Sequence, residues 1–375
     1  MKSRGVIVGT GRAGTQLHFG AFHTAGAEIV AFVDIDKERA NSAAATCGVR
    51  SAYSSLESAL QNEKPNFVSI CTGLQTHYSL ARLALDAGCH VLVEKPFTET
   101  LEEAVALKAL SEEKKLHLSV IHNRRFYPAV QQAVEIYRSG ELGRLIHVDR
   151  KMWFTRGAVR MMEPTHWAHQ IPGGRLFEAN PHNLYLLFQF LGPMKLLEIV
   201  GSKTATEWPH AIVDSIVALL RGRDGTTAQI NMSLNLEGFA PHYMTLTGTR
   251  RSLFVDQTRC VFLDDLISLP RNSVKHAAVS LARALVKKGQ GVLSQIHNRG
   301  SESEFPLFSP VHPSSREHKF QIEKFLRYIE GEVQEPAVTW EEILEVQRLN
   351  EEMGRAVEAG MKGRTEQFPS LSRSR

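Results

Sequence analysis

The stretch Val6-Ile7-Val8-Gly9-Thr10-Gly11-Arg12-Ala13-Gly14 places three glycines behind a short β-type run near the start of the 375-residue chain. In a Gly-x-Gly-x-x-Gly pattern the first glycine makes a tight turn, and the second lets backbone amides approach a pyrophosphate. The third lets the next helix pack close to its strand, with its positive dipole end facing the phosphates. The stretch therefore predicts a dinucleotide-binding βαβ unit, with a glycine-rich turn in another α/β domain as the alternative.

A carboxylate follows the glycines at the distance expected for a ribose ligand. The strand-like run Glu28–Val33 ends in Asp34, about 20 residues after Gly14. Asp34 would accept hydrogen bonds from the ribose hydroxyls and repel a 2′-phosphate. We therefore expect NAD rather than NADP, although Lys37 and Arg39 would partly offset that repulsion.

Residues 1–122 alternate short apolar runs with helical patterns, which is typical of a doubly wound parallel sheet. Strands are expected at Gly5–Gly9, Glu28–Val33, Phe67–Cys71, His90–Val93 and His117–Ile121, and helices at Ala13–Ala25, Lys37–Cys47, Ser54–Gln61, Ser79–Ala87 and Leu101–Lys114.

Residues 123–375 have a different pattern, which predicts an α+β domain with a large, mainly antiparallel open sheet. Strands are expected at Leu145–Phe154, Leu196–Gly201, Ala211–Leu220, Thr226–Leu236, Tyr243–Thr247 and Ser252–Asp256, and helices at Glu178–Leu191, Ser315–Glu330 and Thr339–Ala359.

A basic insertion is expected within the second domain, at about residues 266–312. No Asp or Glu occurs from Leu266 through Ser301, whereas six Lys and Arg residues do. A helix over about 272–289 would dock on an anionic membrane surface or an acidic partner. Alternatively, the insertion packs on its own subunit or on a neighbour in an oligomer, and this interpretation is favoured.

Composition limits the class of partner. The net charge of +4 is too small to favour nucleic acid, and the chain has no zinc-finger spacing or aromatic-basic RNA motif. The longest apolar stretch, around Leu184–Leu191, is too short to span a bilayer. The four cysteines form no Cys-x-x-Cys pair, and the first strand begins too early for a signal peptide. We expect a cytoplasmic enzyme that acts on a small molecule.

Two groups of residues carry candidate chemistry. Lys95, in Glu94-Lys95-Pro96, follows a parallel strand at the edge where such sheets bind ligands, and Pro96 admits a cis bond that would aim its side chain. Lys95 is a candidate to stabilise a developing alkoxide, with a solvated lysine as the alternative.

Glu178 and His182 are four residues apart, so on a helix they share a face. A carboxylate near an imidazole raises its pKa and can fix its tautomer, which suits a general acid or base. A structural helix start is the alternative. A metal pair would find further ligands only in His166 and His169, and no metal is expected.

The order of these motifs resembles the Gfo/Idh/MocA family, the glucose–fructose oxidoreductase and inositol dehydrogenase group. The resemblance rests on Gly9 to Gly14, Asp34-Ile35-Asp36, Thr72 to His77, Glu94-Lys95-Pro96, Asn123 to Pro128, Gly140 to Gly143, and Gly173-Gly174 to His182. It implies a Rossmann domain, a second domain with an open sheet often used for homo-oligomerisation, and NAD(P)-dependent chemistry at a carbinol of a sugar or polyol. Lys95 then matches the catalytic lysine, and His182 the proton acceptor or donor.

The motifs also predict the contacts of each ligand. Cofactor contacts are expected at Gly9, Thr10, Gly11, Arg12, Ala13, Gly14, Asp34, Ile35, Thr72, Gly73, His77, Glu94 and Lys95, and substrate contacts at Arg124, Trp153, His166, Trp167 and Arg175. Around His166-Trp167 the Trp ring would stack on a sugar, and Arg175 would bind a carboxylate or phosphate, unless this is a packing loop. Glu178 replaces the family's usual Asp, and Thr72-Gly73-Leu74 its Thr-Pro-Asn.

The expected activity is hydride transfer between nicotinamide and a carbinol carbon. In oxidation, His182 would take the hydroxyl proton, Glu178 would orient the imidazole, and Lys95 would anchor the oxygen. Two alternatives remain: an enzyme that retains NAD and uses transient oxidation for elimination or glycoside cleavage, and a non-catalytic NAD-binding regulatory protein.

Overall fold

Two β-sheets form the framework of the chain. The computed structural model describes residues 3–155, 163–205, 208, 210–238, 240–263 and 315–365. The strands are β1 Arg4–Val8, β2 Glu28–Val33, β3 Ser51–Tyr53, β4 Phe67–Ile70, β5 His90–Val93, β6 Leu118–Val120, β7 Leu145–Thr155, β8 Met194–Ser202, β9 Ser215–Gly222, β10 Thr227–Leu236, β11 His242–Gly248, β12 Ser252–Val255 and β13 Cys260–Phe262. The helices are α1 Phe19–Thr24, α2 Lys37–Cys47, α3 Leu56–Glu63, α4 His77–Asp86, α5 Leu101–Glu113, α6 Pro128–Arg138, α7 Arg175–Ala179, α8 Pro181–Leu191, α9 Ser315–Ile329 and α10 Trp340–Thr365.

The first sheet is parallel throughout, in the order β3-β2-β1-β4-β5-β6, which confirms the predicted doubly wound Rossmann architecture. Its central strands β1, β4 and β5 are almost wholly buried, because helices cover both faces of such a sheet. Their carboxyl ends meet at one edge, where backbone bonds run from Gly9 to Val33, from Cys71 to Val8, and from Glu94 to Ile70. The glycine-rich turn and the Glu94-Lys95 segment therefore lie at the same edge.

The second sheet is mixed and mainly antiparallel, as predicted, in the order β13-β12-β11-β7-β10-β9-β8. Only the central pair β7 and β10 runs parallel. Along β7 the side chains of Val148, Arg150 and Met152 are buried beneath the helices, while the alternate residues are half-buried on the other face. This alternation decides which side chains of β7 face the helices of the second domain.

The helix predicted at Glu178–Leu191 is divided in two. α7 ends at Ala179 and α8 begins at Pro181, since proline has no N–H to continue the helical hydrogen bonds but fits a first turn. Similarly, Ala13–Ala25 starts as a π-helical segment, Ala13–His18, before α1. The elements β3, α6 and β13 were absent from the sequence prediction.

The C-terminal helices return to the first sheet. Ile322 and Phe325 of α9 belong to the same buried cluster as Phe22 and Phe67 of the nucleotide-binding half. The assignment of residues 123–375 to the second domain stays a prediction, but α9 packs with residues 1–122. The basic insertion lies outside the described residues. Within the described ranges no helix has the length and apolar character to cross a membrane.

The glycine fingerprint supplies a test of the fold. An alanine Cβ at Gly14 would lie 2.0 Å from the Gly9 carbonyl oxygen, so the backbone would have to shift. We expect Gly14→Ala to lower the free energy of unfolding by about 2 kcal/mol in urea denaturation. Gly11→Ala is the matched control because its Cβ would have no neighbour within 4 Å, and it should stay within about 0.5 kcal/mol of wild type. Equal stability of the two variants would contradict this packing role.

Candidate active site

The glycine-rich turn and Asp34 form one hydrogen-bonded unit. The Asp34 carboxylate accepts bonds from the Thr10 amide (2.9 Å) and hydroxyl (2.6 Å). Burial would raise the pKa of Asp34, but these bonds and the guanidinium of Arg39, 3.8 Å away, hold it below its usual value. The open space around Gly11 and a fixed carboxylate fit a dinucleotide, with the turn facing the pyrophosphate.

Three predicted cofactor contacts border this unit. Ile35 is 94% exposed, which leaves its apolar side chain available to a flat ring. Arg12 is also exposed, at the start of the π-helical segment, while Ala13 is half-buried. The structure thus brings these three residues to the same edge as Asp34.

The buried side chain of His77 connects two loops. Its side chain is 1% exposed, and its ring nitrogens face the carbonyl oxygens of Pro96 (3.0 Å), Phe97 (3.1 Å) and Thr72 (3.1 Å). The cofactor contact of His77 stays a prediction, while the structure shows its ring enclosed by these carbonyl groups. It positions the loop that contains Thr72 against the segment that contains Lys95.

Glu94, another predicted cofactor contact, is also turned inward. One carboxylate oxygen faces Nε2 of His18 (3.0 Å) and Nε2 of His318 (3.3 Å), while the other accepts the Lys95 amide (3.0 Å). Nδ1 of His18 is bonded to the Ser69 hydroxyl (2.8 Å). Burial would raise the pKa of Glu94, but its histidine partners hold it well below the usual value. The carboxylate therefore anchors the backbone of Lys95 to the interior.

Lys95 and Glu178 form a nearly buried ion pair that joins the two halves of the site. Their side chains are 14% and 16% exposed, and the Lys95 ammonium also donates to the Glu178 carbonyl oxygen (3.3 Å). Burial would raise the pKa of Glu178, but the charges of Lys95 and Arg175 keep it below the usual value. The Lys95–Pro96 bond is cis.

The tautomer of His182 follows from the bonds of Tyr185. The Tyr185 hydroxyl accepts the Arg124 amide (3.1 Å) and donates to the Asn123 side-chain oxygen (3.3 Å). A hydroxyl has one hydrogen and two lone pairs, so its contact with Nδ1 of His182 (2.7 Å) must be accepted from Nδ1–H. Nε2 of His182 is then the unprotonated nitrogen.

The sequence had suggested that Glu178 orients His182, but in the structure it does not. The carboxylate pairs with Lys95, while the imidazole is held by Tyr185. The expected rise of the His182 pKa is also wrong: burial, and then the charges of Arg124 and Lys95, lower it well below 6.5. The four-residue spacing failed as a guide because the helix breaks between the two residues.

Three further predicted residues meet beside Glu178. Arg175 contacts Nδ1 of His166 (2.7 Å), and its charge acts on Glu178. A Cβ on Gly73 would lie 3.6 Å from the Trp167 ring, so the indole borders the loop after β4. The segment around His166 therefore borders the loop after β4, where Thr72 and Gly73 are predicted cofactor contacts.

Trp153 is not part of this group. It alternates with Arg150 and Met152 on β7 and so lies on the opposite face, where its indole nitrogen donates to Asn231 (2.7 Å). Its role as a substrate contact stays a prediction. The residue that sequence reasoning missed is Arg150, an arginine between two apolar positions of a buried strand face, and this pattern was readable.

The electrostatics of His182 can be measured directly. Arg124→Gln removes the largest charge acting on the imidazole, so we expect the His182 pKa to rise toward 6.5 when its ring signals are followed by NMR. Arg221→Gln, which removes an exposed charge, is the control and should leave the pKa unchanged. A wild-type His182 that titrates at the ordinary value would contradict this arrangement.

Comparison with known proteins follows the same division of the chain. Residues 3–122 match the oxidoreductase family with an NAD-binding Rossmann fold, and residues 130–254 match the Gfo/Idh/MocA C-terminal domain. An oxidoreductase of Synechocystis sp. is 27% identical over 66% of this chain and 70% of its own length. The D-apiose dehydrogenase of Paraburkholderia graminis is 38% identical, over 32% of each chain.

A solved structure shows that the similarity in fold extends over both sheets. The WlbA dehydrogenase of Bordetella pertussis, solved with NADH and UDP-GlcNAcA, superposes with a TM-score of 0.73 over 96% of this chain and 98% of that one, at 21% identity. The two family models together cover the glycine-rich turn, the Glu94-Lys95 segment and the helix that carries His182. The chain belongs to the Gfo/Idh/MocA family of NAD-binding oxidoreductases.

Proposed function

We propose that this protein transfers hydride between a nicotinamide cofactor and the carbinol carbon of a sugar, polyol or related compound. The observation that supports the proposal is that Lys95 pairs with Glu178 of α7, four residues before His182 of α8, and that the charge of Lys95 acts on the His182 imidazole. D-apiose dehydrogenase, a relative, acts on a sugar by its name, and the WlbA structure contains NADH with a nucleotide sugar. These relatives support the substrate class but do not fix the substrate.

Lys95 is proposed to hold the reacting oxygen. A carbinol gains alkoxide character as its hydride leaves, and a fixed ammonium stabilises that charge most where water is largely excluded. The ion pair with Glu178 holds the Lys95 ammonium in one position. Glu178 is thus assigned to Lys95, which revises its role from orienting the imidazole.

His182 is proposed to take the hydroxyl proton at Nε2. The bond from Nδ1–H to Tyr185 fixes the tautomer in which Nε2 is free to accept. The lowered pKa keeps the imidazole neutral near pH 7, so the base is ready in the oxidation direction. In reduction the same nitrogen would return the proton. The bound nicotinamide supplies the hydride acceptor or donor at C4.

NAD is the proposed cofactor, held by the glycine-rich turn and Asp34. The carboxylate is ionised and 8% exposed, with Arg39 as its only cationic neighbour among the described ion pairs. An ionised group at this position accepts ribose hydroxyls and repels a 2′-phosphate.

Homo-oligomerisation through the second sheet is also proposed, in a cytoplasmic setting. Val217 and Leu219 of β9 are each 39% exposed, and Leu197 and Val200 of β8 are 42% and 37% exposed. An apolar sheet face of this kind is typical of a protein–protein contact.

Removing either proposed catalytic group tests the reaction. We expect Lys95→Met and His182→Ala to lower kcat by about 10²- to 10⁴-fold, with NAD affinity little changed, in assays of NADH formation. Lys114→Met, an exposed lysine, should retain wild-type turnover. Full activity in either catalytic variant would remove that residue from the mechanism. Product formation without net NADH, with copurified cofactor, would favour the transient-oxidation alternative.

Cofactor choice has its own test. We expect wild type to prefer NAD, and Asp34→Ala to reduce the ratio of kcat/KM for NAD over NADP by at least about tenfold, because the repelling carboxylate is lost. Adding Arg39→Ala should then weaken NADP use, since its guanidinium lies 3.8 Å from the Asp34 carboxylate and is placed to meet a 2′-phosphate. A preference unaffected by Asp34→Ala would contradict the assignment.

A further inference from the structure

Arg150 is a buried cation in the centre of the second sheet. It is 5% exposed on β7, between the neighbouring strands β10 and β11. Its Nε donates to the Asn183 side-chain oxygen (2.9 Å), a neutral partner. Burial, and then the charge of Arg124, lower its pKa to about 9, so it remains charged at neutral pH. A buried guanidinium without a carboxylate is costly, and such groups are usually paired.

Arg124 brings a second positive charge to the same place. Its guanidinium contacts the Met152 sulfur (3.3 Å), next to Arg150 along the buried face of β7. Within the described part of the chain, neither guanidinium forms an ion pair with a carboxylate. Neighbouring cations do: Arg125 pairs with Glu342, and Lys95 with Glu178. The two unpaired charges are therefore a local feature and not a general property of the region.

A small cavity opens beside both arginines. It is lined by Arg124, Tyr127, Arg150, Leu186, His242 and Asp256, among others. Burial, followed by the charges of Arg124 and Arg150, lowers the pKa of His242 to about 4, which shows that both charges act across the space.

The carboxylate in the cavity wall does not neutralise these charges. Asp256 pairs with Arg259 at 2.6 Å and accepts the Thr258 amide (2.8 Å). Its hydrogen-bonding capacity is thus used on its own loop. The cavity keeps a surplus of two positive charges.

Arg124, in the cavity wall, is linked to the proposed base His182 through Tyr185. The Arg124 amide and Nδ1 of His182 share the Tyr185 hydroxyl, and Arg124 is the largest charge acting on His182. An anion bound by the two arginines would therefore lie close to His182, the proposed base.

We propose that Arg124 and Arg150 form a subsite for the anionic group of the substrate, so that the enzyme oxidises or reduces a carbinol in a sugar acid or sugar phosphate. The inference rests on the proposed function and specifies its substrate class. A carboxylate or phosphate would receive charge-assisted bonds from both guanidinium groups, which match such oxyanions in geometry. The bound anion would supply the charge that these residues otherwise lack.

The experiment compares sugars that differ at C6, which carries a hydroxyl group, a carboxylate or a phosphate ester. Hydride transfer from D-glucose, D-glucuronate and D-glucose 6-phosphate, and from the corresponding galactose set, is followed as NADH formation, and binding to the NADH-loaded protein is measured by calorimetry. We expect at least one anionic member to exceed its neutral counterpart by tenfold or more in kcat/KM or affinity. The carboxylate and phosphate arms show which oxyanion the subsite takes.

Variants then test the two arginines. Arg150→Gln and Arg124→Gln should each lower kcat/KM or affinity for the anionic member about 100-fold. For Arg150→Gln, the affinity for the neutral member should change less than threefold. Arg150→Lys should recover part of the preference, and Arg221→Gln should leave it intact. Arg150→Gln should not lower the melting temperature, because it removes an unpaired buried charge, whereas loss of a purely structural arginine would lower it.

The outcomes separate the two proposals. If no anionic member exceeds its neutral counterpart, or if both glutamine variants keep the preference, the subsite is overturned even where neutral sugars are oxidised. If anions bind in an Arg150-dependent way but no member yields NADH, the subsite is supported and the proposed hydride transfer fails.

Discussion

The ion pair between Lys95 and Glu178 is the contact on which the site depends. It joins the end of a strand in the nucleotide-binding half to a short helix of the second half, 83 residues away. Removing two charges from water is costly, and the pair is tolerated because each ion satisfies the other and Lys95 also donates to the Glu178 carbonyl oxygen. The pair therefore fixes the distance between the two halves at the point where chemistry is proposed.

Buried histidines hold the Lys95–Glu178 ion pair in place. Glu94 ties His18 and His318 to the backbone of Lys95, and His77 ties the two flanking loops together. Because His318 comes from α9, the C-terminal part of the chain takes part in aiming Lys95. Burial, followed by the charges of Arg124 and Lys95, keeps His182 neutral, and Arg124 and Arg150 give the adjacent cavity its positive charge.

The sequence was most informative where the functional residues belong to short contiguous motifs. The glycine-rich turn, Asp34, the Glu94-Lys95-Pro96 segment and His182 each carry local motifs, and the structure brings them to one edge. Two partners of these residues were not predictable in the same way, because Glu178 and α9 reach Lys95 and Glu94 through tertiary packing. Tyr185, in contrast, is three residues from His182 on the same helix. Trp153 and Arg150 lie on the same strand, and only the alternation of side chains along β7 decides which of them lies on the buried face.

The central claim is that Lys95 and His182 act on one substrate oxygen above the nicotinamide. The most direct measurement is a crystal structure of the complex with NAD and a substrate or an unreactive analogue. The account predicts Nζ of Lys95 and Nε2 of His182 within about 3.5 Å of the same oxygen, whose carbon faces nicotinamide C4. Separation of either nitrogen from that oxygen by more than one water molecule, in a closed complex, would contradict it.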